Sequence, residues 1–304
     1  MLRMAIQPRY TGRATFARLP ELQDEPCAAG IIGVPFDQGA SFRPGQRFGP
    51  AAIREASRLI RPVHPVTGVD VFAAGSVRDC GDAPIGNDIM SSIEVIRAYI
   101  AAHVARGIRP VLLGGDHTVS LPALRAIAQA HGRLGVIHLD AHSDTEDALF
   151  GSRYNHGTPF RRAIEEGLVD PARMIQIGLR GSLSDAGEWD AARGLGLELI
   201  PMHEAQRHTM AELAQTALRR AGSGPVYISV DVDACDPAFA PGTGVPEAGG
   251  FSSRELVEML RGVRGVRAVG GDVVEVLPAA DPSGITALLA ANIAYELLAL
   301  VSAA

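Results

Sequence analysis

The chain has 304 residues, 47% of them hydrophobic, with 28 basic and 34 acidic side chains and a formal net charge of −6. At roughly 100–200 residues per domain this is one large or two small domains, and the acidic balance excludes the basic face that nucleic acid or an anionic membrane requires. Every basic residue is arginine; the absence of lysine excludes Schiff-base and pyridoxal chemistry, the P-loop and the protein-kinase mechanism.

In chain order, the first 20 residues carry Arg3, Arg9, Arg13 and Arg18 and no acid before Glu21. This weakly suggests a transit peptide, but no apolar segment follows and Pro8 and Pro20 break any helix, so 1–28 is expected to be an ordinary N-terminal arm. Strands are predicted at Ala29–Val34, Pro110–Leu113, Leu134–Asp140, Met174–Leu179, Leu197–Pro201, Val226–Asp233 and within Val266–Val276. Helices are predicted at Pro50–Leu59, Ile93–Arg106, Leu121–Ala130, Thr158–Glu166, Met210–Ala221, Arg254–Gly262 and Ile285–Val301. Near-continuously apolar strands alternating with helices imply a three-layer α/β/α fold around a mainly parallel sheet, with 29–304 forming one domain. Three dispersed cysteines, Cys27, Cys80 and Cys235, form neither a disulfide framework nor a CxxC zinc site. They point to a reducing, cytoplasmic setting. The most apolar stretch, Ile285–Val301, contains Asn292, Tyr295 and Glu296 and reads as a packed helix rather than a membrane span.

In open parallel sheets ligands sit at the carboxyl ends of strands. There the sequence places Gly114-Gly115-Asp116-His117, Asp140-Ala141-His142-Ser143-Asp144, Asp231-Val232-Asp233 and Gly271-Asp272-Val273-Val274-Glu275. Residues two apart on an extended chain share a face, which groups Asp140, His142 and Asp144, and likewise Asp231 with Asp233. Four carboxylates in one pocket cannot all ionise without cations. Two divalent ions neutralise them, and oxygen-rich ligation with imidazole and no thiolate favours Mn²⁺ over structural zinc. The competing reading is a set of turn-fixing aspartates at strand-to-helix junctions. It suits Asp116 and Asp236 better than three such groups on neighbouring strand ends.

These segments resemble the three signatures of the ureohydrolases, the arginase and agmatinase family: Gly114-Gly115-Asp116-His117, His138 to Asp144, and Ser229 to Pro237. Asp37-Gln38-Gly39 with Phe48-Gly49-Pro50 resembles the N-terminal motif, and the likeness runs over nearly the whole chain. The resemblance implies two Mn²⁺ per subunit and hydrolysis of a guanidino group to urea and an amine. It implies that His117, Asp140, Asp144 and Asp231 hold one ion, and that Asp140, His142, Asp231 and Asp233 hold the other. His156, in Tyr154-Asn155-His156-Gly157, matches the proton-handling histidine, with Asn155 beside it at the substrate. Glu275 matches the carboxylate that receives the guanidinium. Asp144 or Asp233 relays a proton. Homo-trimers or homo-hexamers are also implied.

The physical chemistry agrees with those roles. A guanidinium is a poor electrophile and needs a strong nucleophile, which cations provide by lowering the pKa of bound water to about 7. A carboxylate matches the planar fork of N–H donors, and the leaving amine needs a general acid. The substrate is expected to be a small cation. The loop Thr145-Glu146-Asp147-Ala148-Leu149-Phe150 and the segment Arg180-Gly181-Ser182-Leu183 depart from the arginine-specific pattern. Agmatine, whose far end is a second cation for Glu146 or Asp147, is the first expectation. Guanidinobutyrate or guanidinopropionate, with a carboxylate for Arg153 or Arg180, is the alternative. The loop also resembles that of proclavaminate amidinohydrolase. A different class, the mononuclear zinc deacetylases of the same fold, is disfavoured by the paired Asp-x-His-x-Asp and Asp-x-Asp motifs.

Overall fold

A computed structural model describes residues 8–23, 25–73 and 76–303. Residues 1–7 of the expected arm, Arg3 included, lie outside the described residues. The strands are β1 (Ala29–Gly33), β2 (Val77–Asp82), β3 (Arg109–Leu113), β4 (Leu134–Leu139), β5 (Val169–Ile177), β6 (Glu198–Ile200), β7 (Val226–Asp231) and β8 (Ala268–Val274). They form one sheet in the order β2-β1-β3-β8-β7-β4-β5-β6, and every pairing is parallel. β1, β3, β4, β7 and β8 are buried along nearly their whole length, which is why they read as unbroken apolar runs rather than alternating ones.

Helices cover both faces. On one side α1 (Gly49–Ala56), α7 (Met210–Ala221), α8 (Ser253–Gly262) and α9 (Ile285–Ala303) bury Ile53, Leu213, Leu256 and Leu297 in one apolar cluster. On the other, α2 (Ile89–Val104), α3 (Ser120–His131), α4 (Pro159–Glu165) and α5 (Glu188–Gly194) bury Ile93, Leu124, Phe160 and Ala192. A short helix, α6 (Met202–Ala205), follows β6. The three layers are those the sequence implies. α9 is long and apolar enough to cross a membrane by composition, but 72% of its most apolar window is buried against the domain. Of the described arm, Phe16 and Leu19 join the core, and the Phe16 N–H donates to Asp79 Oδ2 at 2.7 Å.

Several elements depart from the sequence reading: α5 and α6 are not among the predicted helices, and β5 begins at Val169 rather than Met174. β2, Val-Arg-Asp-Cys-Gly-Asp, has no apolar run; it is an edge strand whose Asp79 and Asp82 carboxylates both pair with Arg54 of α1. α2 begins four residues before its first predicted apolar position because Asp88 caps it, accepting from the Met90 and Ser91 N–H groups. β7 ends at Asp231, not Asp233. Val232–Ala234 form a 3-10 turn capped by the Asp231 carboxylate, which accepts from the Asp233 N–H at 2.8 Å.

Candidate metal centre

β3, β8, β7 and β4 are consecutive in the sheet, so their carboxyl ends converge at its middle. The turn after β3 requires Gly115: a Cβ there would collide with the Phe36 backbone. Its carbonyl accepts from the Glu275 N–H at 2.9 Å, which docks the β8 end beside His117. Two residues at this rim, Asp144 (φ +51°) and Glu275 (φ +66°), hold left-handed backbone that is uncommon outside glycine. The shared orientation of Asp140, His142 and Asp144 therefore comes from a turn, not from the extended chain that the sequence argument assumed.

His117 Nδ1 faces Asp144 Oδ2 at 2.9 Å, Asp140 Oδ2 at 3.1 Å and Asp231 Oδ2 at 3.3 Å. This nitrogen is buried and makes no hydrogen bond. Donors bound at about 2.1 Å at right angles to one another lie about 3 Å apart, so these four atoms suit one cation in their midst. Beside them, His142 Nδ1 lies 3.1 Å from Asp233 Oδ2 and 3.5 Å from Asp140 Oδ1. Asp140, His142 and Asp233 form a second donor group, and Asp140 belongs to both. All six residues of the expected ligand set are thus brought together, with only His142 partly exposed. His138, also near Asp140, is occupied otherwise. Its Nδ1 faces Gln176 Nε2 at 2.9 Å and its Nε2 faces Asp140 Oδ2 at 2.7 Å.

The packed carboxylates repel one another, which favours a nearby positive charge. Burial and the Asp233 and Asp140 carboxylates push Asp231 well above the usual carboxylate range, and burial with Asp140 pushes Asp233 up to about 6. Asp140 is held well below that range because His138, His117 and His142 outweigh its burial. Burial opposes charge on His117 and His142, yet the surrounding aspartates raise both well above the ordinary histidine value.

A pocket of about 170 Å³ opens above this cluster, lined by His142, Asp144, Asp231, Asp233, His156 and Glu275 on its inner side. The Glu275 Oε1 accepts from the His117 backbone N–H and meets His156 Nδ1, both at 2.9 Å, while Oε2 accepts from Gln46 Nε2 at 2.9 Å. Burial alone would lower the His156 pKa, but Glu275 outweighs it and raises it to about 9. His156 Nε2 also meets Ser41 Oγ at 2.7 Å.

Several expectations need correction. Asn155 does not face the pocket: its amide donates to the Ser152 carbonyl at 2.8 Å and accepts from the Gly157 N–H at 3.0 Å, fixing the turn that presents His156. Arg180 lines the pocket, yet its guanidinium donates to the carbonyls of Gly178, Asp233, Ala234, Cys235, Glu247 and Ala248. It clamps the two loops beside the site and has no donor left for a substrate carboxylate. Arg153 pairs with Asp147 and Glu165, and Asp147 also pairs with Arg162, so neither faces the pocket. The sequence reading missed Gln46 and Ser41, and it missed Glu188 and Trp189, which line the same pocket as Glu146. The Asp37-Gln38-Gly39 motif was the available signal for the first pair, since Asp37 anchors the loop to Gly45 by accepting its N–H at 2.8 Å.

A parallel α/β domain carrying two adjoining carboxylate–imidazole donor groups beneath a pocket has the donor set of a binuclear metal enzyme. The arginase family model matches residues 27–300. Guanidinopropionase of Pseudomonas aeruginosa is 46% identical, over 97% of this chain and 93% of that protein. Guanidinobutyrase of the same organism is 42% identical, over 96% and 93%. The solved structure of proclavaminate amidino hydrolase from Streptomyces clavuligerus superposes with a TM-score of 0.93 at 43% identity, covering 97% of this chain and 99% of that one. The chain belongs to the arginase family of binuclear metal enzymes, the ureohydrolases. It is a hydrolase of C–N bonds in linear amidines.

Proposed function

We propose that this protein uses two Mn²⁺ ions to hydrolyse a linear guanidino compound to urea and an amine. The observation that carries the reading is the unpartnered His117 Nδ1 among three carboxylates, with Glu275 in the same pocket. The donor set of imidazole and carboxylate without thiolate suits Mn²⁺. His117, Asp140, Asp144 and Asp231 would hold one ion, and Asp140, His142, Asp231 and Asp233 the other. Bound together, the two cations supply a nucleophilic water at neutral pH and a positive field for developing charge.

The chain's own residues do the rest. Glu275 receives the guanidinium and turns its central carbon towards the metal cluster. Its Oε2 contact with Gln46 and its Oε1 contact with the His117 N–H hold the carboxylate in place. His156, whose pKa the adjacent Glu275 raises above the ordinary histidine value in the metal-free protein, is the group that holds the proton the departing amine must receive. Asp144 and Asp233, both lining the pocket, are the groups placed to pass a proton from the attacking water towards His156.

For the tail of the substrate, the pocket is also lined by Glu146, Glu188 and Trp189, and Arg180, the one arginine lining it among the described residues, is saturated by carbonyls. This favours a cationic tail, hence agmatine giving putrescine. The second reading is a guanidino acid, guanidinopropionate or guanidinobutyrate, favoured by the names of the relatives at 46% and 42% identity. Urea release by the Mn²⁺-loaded protein should be measured with agmatine, 4-guanidinobutyrate, 3-guanidinopropionate and arginine. A clear preference for agmatine is expected. A preference for either acid would replace the tail assignment; urea from none of them with two ions bound would remove these four substrates, and fewer than two bound ions would overturn the metal centre. The buried, unpaired cysteines support a reducing compartment. A homo-trimer or homo-hexamer belongs to the same proposal, and a stable active monomer on gel filtration would remove that part of it.

A further inference from the structure

Beneath the metal cluster lies a buried chain of polar groups that the reaction does not use. Tyr227, Ser229 and Asp231 alternate on one face of β7, and Ser229 is in register with Asp272 of β8. All four are buried, Tyr227, Ser229 and Asp272 fully so. Three hydroxyls donate to Asp272: Ser229 to Oδ1 at 2.6 Å, and Tyr227 and Ser120 to Oδ2 at 2.7 and 2.5 Å. Ser229 Oγ in turn meets His117 Nε2 at 2.9 Å.

The direction of these bonds follows from proton count. A serine hydroxyl has one proton to give. Ser229 gives it to the Asp272 carboxylate, so its oxygen can only accept from His117, and the ring proton must sit on Nε2. In the neutral ring, the form that ligates a cation, that leaves the lone pair on Nδ1, the atom that faces Asp144, Asp140 and Asp231. In the reverse arrangement Ser229 would donate to His117, Asp272 Oδ1 would lose its donor in the interior, and the ring proton would point into the place of the ion. We propose that Asp272 is a positioning residue which, through Ser229, orients the His117 ring and keeps Nδ1 open to one of the two ions. This rests on the metal centre proposed above. Asp272 touches neither substrate nor metal.

The test is metal affinity, measured by competition with a chelator on the whole protein together with metal content per subunit. Outer partners of a ligand histidine typically change metal affinity 10–100-fold. S229A is expected to weaken one ion by about that factor and leave the other unchanged, and D272N to weaken the same ion. The double variant S229A/D272N is expected to be no worse than S229A, because Asp272 acts only through Ser229. Y227F removes a donor from the opposite oxygen and should keep both affinities. S229A, which only truncates a hydroxyl, answers the question even if D272N fails to fold. Wild-type affinity in S229A, additive losses in the double variant, or an equal loss in Y227F would overturn the proposal. Wild-type protein that binds no metal would instead overturn the metal centre itself.

Discussion

The sharpest perturbation of the proposed reaction is Glu275→Gln, which keeps the shape of the side chain and removes its charge. Glu275 is buried and its carboxylate is held by three contacts of 2.9 Å: the His117 N–H and the His156 ring at Oε1, and Gln46 at Oε2. Its ionised state is favoured there, since His156 and the His117 N–H outweigh burial and lower its pKa. A guanidinium docked on this carboxylate makes charge-assisted bonds of about 1.5–3 kcal/mol each. Losing two at the lower figure costs about 3 kcal/mol, which at 1.4 kcal/mol per tenfold lowers kcat/KM by roughly 100-fold. The loss should be a binding loss, with two metal ions still retained, because Glu275 is outside both donor groups. The assay is steady-state urea release alongside metal analysis of the same preparation. Activity within about threefold of wild type, or a loss that tracks loss of metal, would refute the role assigned to Glu275.

Other outcomes are expected. His156 has its folded pKa raised to about 9, above the ordinary value of about 6.5, so its stabilising contribution in the metal-free protein is complete below that ordinary value. It disappears as pH rises through about 9; the melting-temperature gap between wild type and His156→Gln should therefore close between pH 7 and pH 10, and a gap constant with pH would contradict the pairing. Chelation should abolish activity and lower the melting temperature, since each ion at a hundredfold excess over its Kd contributes about 2.7 kcal/mol; readdition of Mn²⁺ should restore both. Arg180→Ala strips donors from carbonyls around the site, each worth about 1–3 kcal/mol when left unsatisfied. It should destabilise the protein by at least about 2 kcal/mol in denaturant melts and slow cationic and anionic guanidino substrates alike. A loss confined to guanidino acids would instead identify Arg180 as a carboxylate ligand.

By itself the sequence determined the alternation of strands and helices and the convergence of acidic and imidazole side chains at strand ends. Buried parallel strands are near-continuously apolar, and here the candidate metal donors are Asp and His clustered just past strand ends, so both leave plain marks in the chain. It left β2 unread because an edge strand spends its side chains on ion pairs, here Asp79 and Asp82 with Arg54, and carries no apolar run. It placed Asp140, Asp144, Asp231 and Asp233 at one rim, and the structure brings them together by another route: turns, not continued strand alternation, aim Asp144 and Asp233. What only the tertiary structure decided was which polar groups were already satisfied. Arg180 looks available in sequence and is bound to backbone carbonyls of distant loops. Ser229 and Asp272, ordinary strand residues in sequence, become a chain to His117 through the register of β7 and β8. Hydrogen-bond partners 40 to 160 residues apart are a property of packing, because a donor's availability depends on every acceptor the fold brings within about 3 Å of it.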